Sequence, residues 1–293
     1  MLLICGTVPA ADVKPIMGPA VLDKDELVVR DRRIPCGQGT AAMLSAACVT
    51  TTYLGVEQPY ALIAGDTGDG RGSRQLYKYL IDNVAQIAPD VLCLHYLLPI
   101  VTMMKTLHSA LDKCPTRPLL LADAGSMYAV KAAGLAPEFD VFTPDPSELG
   151  FLADPKATHP AYIAEYLFAS SCDDAQSCIE SAYENNNAAK VLVVKGRKDY
   201  IARDGRIEAV VDEPNVPAME AIGGTGDAIT GLVAAFLHAE LEPVEAGILA
   251  TRANRTAGLY ADAGFGTSIP RIIGEFERVF SEHLCAWSGV CTL

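Results

Sequence analysis

Gly223-Gly224-Thr225-Gly226-Asp227-Ala228-Ile229-Thr230-Gly231 is a glycine-rich turn that runs without a break into the apolar segment 232–237. Three glycines within four residues permit positive φ and let the backbone approach a ligand without interference from a Cβ. The helix that follows presents unpaired N–H groups at the same spot, which suits an anion. Asp227 is the exception, because a carboxylate there repels the negative charge that the helix dipole attracts. Two readings account for it. In one, the N–H groups hold charge that develops on a transferred phosphoryl group while Asp227 takes a proton from the acceptor. In the other, Asp227 only stabilises a helix N-terminus.

Outward from this turn, the chain of 293 residues is 50% hydrophobic, enough to bury a large core, and no linker divides it. One domain spanning 1–293 is expected. The apolar run Leu2-Leu3-Ile4-Cys5 breaks at Gly6 and Pro9, which suits a first strand and is too short for the apolar part of a signal peptide. No run is long enough to cross a bilayer, so the expectation is a soluble, cytoplasmic protein with no membrane partner. Net charge is −13, and the basic residues are scattered apart from short clusters such as Arg30, Arg32 and Arg33, which argues against nucleic acid. Several of the nine cysteines lie in apolar runs and no CxxC occurs, so they read as reduced core residues. The five histidines have no zinc-site spacing.

Between residues 90 and 143, and again at 190–196, apolar strands alternate with amphipathic helices. This predicts a mostly parallel sheet covered on both faces, with ligands beyond the carboxyl ends of its strands. Polar groups stand at those ends: Asp123, the run Asp145-Pro146-Ser147-Glu148, and Lys195-Gly196. Asp145 and Glu148, three apart across a strand-to-helix turn, either hold hydrated magnesium or cap the helix as an acidic pair. Lys195 either reaches a phosphate or sits at a rim. Residues 22–35 are expected to form a small hairpin lying over the sheet as a lid, and Asp204-Gly205 to turn a second hairpin over 200–207. The loop 65–73 has P-loop glycine spacing, but Arg71 and Gly72 stand where that motif needs Lys and Ser or Thr, so it reads as a surface turn. Two polar helices are expected over 154–187, and a last one over 270–283.

In this order the segments resemble the ribokinase-like superfamily from the first strand to Pro270, which implies a three-layer α/β/α fold. Thr143-Pro144-Asp145-Pro146-Ser147-Glu148 is similar to its acidic magnesium-and-phosphate motif, with Asp145 where Asn is usual. Val193-Val194-Lys195-Gly196, a hairpin and the glycine turn follow in the family's succession. The run 253–258, continued through 266–270, resembles the segment that closes over adenine. The resemblance implies that Asp227 is the catalytic base and that Gly224, Thr225 and Gly226, with Lys195, form the anion site. It further implies that Asn254 and Gly258 lie at adenine and that Asp145 and Glu148 hold Mg2+ through water, with ATP or ADP as donor. Asp12, Gly37 and Asp123 are the implied acceptor-binding residues.

Within the superfamily, residues 217–227 together with Asp123-Ala124-Gly125 look most like the ATP- or ADP-dependent NAD(P)H-hydrate dehydratases. These phosphorylate the hydroxyl of a hydrated nicotinamide and eliminate the phosphate. Asp145 stands where the dehydratases usually have His, and the loop 65–70 resembles the sugar-kinase branch. A kinase of a small alcohol is therefore the alternative, and a catalytically inactive nucleotide-binding regulator a third. Homo-oligomerisation is left open.

Overall fold

The computed structural model describes residues 1–11, 13–157 and 174–289. Strand β1 (Leu2–Val8) is buried on both faces, with Leu2 and Ile4 in one apolar layer and Leu3 and Cys5 in the other. A strand that feeds two cores has no polar face, hence its continuous apolar sequence. It lies between β5 (Tyr60–Gly65) and β6 (Val91–His95), parallel to both, inside a sheet that has eleven strands among the described residues. Parallel pairing continues through β7 (Leu119–Asp123), β8 (Val141–Phe142) and β9 (Val191–Val194). The antiparallel strands β10 (Asp199–Arg203) and β11 (Arg206–Val211) close that edge. Their turn has Asp204 at φ 51° and Gly205 at φ 77°, the two positive values that the Asp-Gly pair predicted.

Helices α1 (Thr40–Leu54), α7 (Thr225–His238) and α8 (Pro243–Tyr260) cover one face of the sheet. Helices α2 (Arg71–Ile87), α3 (Val101–Leu111), α4 (Ala124–Ala132), α5 (Pro146–Ala153) and α6 (Ala175–Glu184) cover the other. The small side chains of α1 have a structural reason. At Gly231 of α7 a Cβ would lie 2.1 Å from the carbonyl oxygen of Met43, so the two helices touch backbone to backbone.

Two expectations change, one at the last helix and one at the cysteines. Residues 22–35 contain the hairpin of β3 (Glu26–Val29) and β4 (Arg32–Pro35), joined to the sheet edge, with Leu27 and Val29 buried in the apolar layer that includes α1. The strand leading to them, β2 (Ile16–Asp23), escaped the sequence reading because Gly18 and Pro19 interrupt it. It pairs with β5 up to Pro19 and with β3 from Ala20, so the missing proline N–H falls at the handover. The expected last helix is broken at Gly274 into the short helices Ile269–Ile273 and Phe276–Val279, followed by a π-turn over Phe280–Leu284. Cys5, Cys36, Cys48 and Cys93 are buried free thiols as expected, but Cys178 and Cys285 are disulfide-bonded. Most of the first helix expected within 154–187 lies outside the described residues.

Candidate active site

Strand register brings the chemistry together. His95 and Asp123, the last residues of β6 and β7, are direct neighbours in the parallel ladder. Lys195 follows β9, and the glycine turn delivers Asp227 above all three. Gly224 holds φ 99°, a conformation that glycine alone adopts without strain, and it starts α7 with no side-chain cap. Among the described residues, no hydrogen bond engages the N–H of Gly226 or Asp227. The helix therefore opens toward solvent with free donors.

Asp227 is fixed from two sides. The Gly39 N–H donates to its Oδ2 at 2.7 Å, and its Oδ1 lies 3.1 Å from His95 Nε2. On the far side of the imidazole, Nδ1 lies 2.9 Å from Thr40 Oγ1, whose hydroxyl donates to the Thr7 carbonyl at 2.7 Å. Burial raises the Asp227 carboxyl pKa. The bond to His95, the charges of His95 and Lys195 and the Gly39 N–H together outweigh that effect and leave it below the ordinary carboxylate value.

Asp123 is locked in place. Both its oxygens accept from Lys195 Nζ, at 3.0 and 2.9 Å, while Thr230 donates at 2.7 Å and the Ala124 N–H at 2.9 Å. Burial lowers the Lys195 pKa, but the carboxylates of Asp123 and Glu148 more than reverse this, and its net shift is upward. Ligand atoms of His95, Asp123 and Asp227 come within 4.8 Å of one another. The Lys195 ammonium on Asp123 already supplies the cation there.

Asp145 and Glu148 form a reciprocal capping box at the start of α5: each backbone N–H donates to the other's carboxylate at 2.8 Å. Tyr128 also donates to Glu148, at 2.9 Å, whereas Asp145 Oδ2 has no partner among the described residues. Burial, then the Asp123 carboxylate, pushes the Glu148 carboxyl up from 4.5 to about 8. Its folded value exceeds its unfolded one, so this group stabilises the fold fully below pH 4.5 and loses that contribution as pH rises through about 8. Melting of the metal-free protein in chelator should show it. Tm is expected to fall across this window more steeply than that of Glu148→Gln, and parallel curves would refute the assignment.

Two cavities flank this centre and share Tyr96 in their walls. The first, of 530 Å³, is lined by Asp145, Glu148, Lys195, Thr225, Asp227 and Asn254 among others. Asn254 is buried and its Oδ1 has no partner, an unmet acceptor in the wall. The second, of 540 Å³, lies on the side of Gly39, Thr40 and Asp66. Asp66 organises the loop 65–73 by accepting from the N–H groups of Gly68, Gly70 and Ser73. Tyr96 borders both cavities, at φ 51° and half exposed.

The expected site residues Asp123, Asp145, Glu148, Lys195, Thr225, Gly226, Asp227 and Asn254 thus share one cleft. Gly224 packs against Ile269 behind them. Gly258 is apart: it supports the wall from behind, where a Cβ would lie 1.9 Å from the Met219 sulfur. Gly39 rather than Gly37 reaches the centre. Asp12 lies outside the described residues. His95 and Thr40 were missed, although a histidine ending a buried parallel strand carries the same positional signal as Asp123.

A mostly parallel sheet under two helical layers, with this glycine turn above the strand ends, defines a ribokinase-like protein, and solved structures of that superfamily superpose on the chain. More narrowly, residues 100–274 match the Carb_kinase family model, described as NAD(P)H-hydrate dehydratase, and the chain belongs to that family. An uncharacterized protein of Methanocaldococcus jannaschii is 34% identical over 242 residues, covering 83% of this chain and 100% of that protein. The bifunctional NAD(P)H-hydrate repair enzyme Nnr of Pyrobaculum aerophilum is 39% identical over 95 residues, 32% of this chain and 18% of that enzyme. The ADP/ATP-dependent NAD(P)H-hydrate dehydratase of Bacillus subtilis, co-crystallized with ATP/Mg2+, superposes with a TM-score of 0.56 at 14% identity, over 96% of this chain and 88% of that one. At that identity the likeness is one of fold.

Proposed function

We propose that this protein is an ATP- or ADP-dependent NAD(P)H-hydrate dehydratase: it phosphorylates the hydroxyl of a hydrated nicotinamide and eliminates the phosphate to restore NADH or NADPH. One observation carries the phosphoryl-transfer step. Asp227 lines the first cavity, accepts from the Gly39 N–H in the wall of the second, and stands at the start of a helix whose Gly226 and Asp227 N–H groups are free among the described residues. Asp227 takes the acceptor's hydroxyl proton, the oxygen bonds to the terminal phosphorus, and the bond to the leaving nucleotide breaks. The free N–H groups stabilise the charge that grows on the transferred group. Family membership and the partial match to the repair enzyme support the dehydratase outcome.

The nucleotide belongs in the first cavity, where the unmet Asn254 Oδ1 fits an adenine amino group. Mg2+ fits near Asp145 Oδ2 and Glu148, held mainly through water, and supplies charge neutralisation on the phosphates. Asn254→Leu is expected to weaken ATP or ADP binding about tenfold to a hundredfold, because it leaves the buried ligand donor unpaired. Titration calorimetry reads this, and unchanged affinity would remove Asn254 from the adenine site.

The deciding experiment incubates the protein with hydrated NADH, Mg2+ and either nucleotide while following reduced-nicotinamide absorbance. Recovery is the expected result. The second cavity favours one other reading, a kinase of an uncharged small alcohol, since among the described residues no Lys, Arg or His lines it. That reading predicts no recovery with hydrated NADH and nucleotide consumption only once such an alcohol is supplied.

A further inference from the structure

His95 has no part in the chemistry above, yet it is fully buried with both ring nitrogens engaged. The hydrogen-bond geometry allows its protons to be counted. Thr40 Oγ1 lies 2.7 Å from the Thr7 carbonyl, an acceptor only, so the single hydroxyl proton must sit between these two oxygens. Toward the ring the Thr40 oxygen can then only accept, and His95 Nδ1 must carry a hydrogen. On the other side, Nε2 faces Asp227 Oδ1 at 3.1 Å, and a bare ring nitrogen against an ionised carboxylate would be repulsive. A second proton therefore lies on that line.

We propose that His95 is a positioning residue for Asp227: with a hydrogen on each ring nitrogen it anchors through Nδ1 to Thr40, donates through Nε2 to Asp227 Oδ1, and leaves Oδ2 on the acceptor side as the base. The charges around it agree. Asp227 from α7 and Asp123 from β7, the latter 3.9 Å from Nε2, face the imidazole, and Lys195 sits on Asp123. Tyr96 adds an uncharged ring edge at 4.2 Å between centroids. Two carboxylates, one ammonium and one imidazolium sum to zero, the condition under which buried charges are tolerated. A bond from His95 is also the largest of the effects holding the Asp227 carboxyl low.

The inference rests on Asp227 being the base of the proposed reaction, so two readouts are needed. The first needs no activity: nitrogen-15 spectra of the histidine-labelled native protein near pH 7 are expected to show one ring with hydrogens on both nitrogens, absent in His95→Gln. A bare Nδ1 or Nε2 on His95 would overturn the proposal. The second is the pH profile of kcat. Glutamine keeps a neutral donor toward Asp227 and loses the charge, so the acid limb should move upward by about one pH unit or more. Plateau kcat in His95→Gln should fall less than in His95→Leu, which loses the donor altogether and is expected to lose about a hundredfold. Nucleotide KM should stay put in both variants. A merely structural histidine would scale the rate equally at every pH, and an unmoved limb in folded His95→Gln would sink the proposal. Should hydrated NADH prove not to be the substrate, the spectra still decide the protonation of His95.

Discussion

Asp227→Asn is expected to lower kcat by about a hundredfold to ten-thousandfold, the usual contribution of a positioned general base, with nucleotide KM changed by no more than a few fold. Asparagine preserves shape but cannot hold the transferred proton. It also turns an amide donor toward either the Gly39 N–H or His95, where the carboxylate accepted from both sides. Some stability is therefore lost along with the base, and thermal melting should accompany the kinetics to verify folding. Removing the negative charge at a site meant for phosphate should, if anything, tighten nucleotide binding slightly. A helix-stabilising role makes a different forecast. Asp227 lies in the first turn of α7, beyond its N-cap Gly224, and its interaction with the helix dipole is worth about 0.3–1 kcal/mol, with no demand on kcat. Near-normal turnover by folded Asp227→Asn protein would overturn the assignment and the phosphoryl-transfer reading with it.

Lys195→Met should produce the largest loss of stability, about 3–5 kcal/mol in denaturant unfolding. The substitution fills similar space but strips the ammonium from both oxygens of Asp123, a side chain only 2% exposed that keeps two neutral donors, Thr230 and the Ala124 N–H. Adding Asp123→Asn to the variant should recover part of the loss, because the uncompensated charge is gone. By contrast, replacing Arg33 of β4, which is half exposed and paired with Asp23 and Glu26, should leave the unfolding midpoint almost unchanged. A Lys195→Met protein within about 1 kcal/mol of the native one would mean that the ammonium is not a strut for Asp123. Its loss would then be felt only in nucleotide affinity, as expected of a direct phosphate ligand.

The acidic pair shows how far local sequence reaches. Residues 145–148 carry a capping signature and a metal-like spacing at once, and the structure contains the capping box with Glu148 also facing the cavity. Spacing alone does not separate the two uses, since both need carboxylates at the start of the same helix. The hairpin at 26–35 shows a related limit. Alternation over 26–34 announces strands, but how they join the sheet depends on β2, whose Gly18-Pro19 break hides it from any periodicity.

By itself the sequence determined the features that are local. Apolar runs buried on both faces specify central parallel strands, the Asp204-Gly205 pair specifies its turn, and the glycine turn before α7 announces a helix start with free N–H groups. Each depends on neighbours within a few residues. Tertiary structure decided the partners: Lys195 meets Asp123 across 72 residues, His95 meets Asp227 across 132, and the Gly39 N–H meets Asp227 across 188. No local pattern encodes such pairs. They follow from strand register, which sets His95 beside Asp123, and from the close packing of α1 on α7, which carries Gly39 and Thr40 to the carboxylate and its histidine.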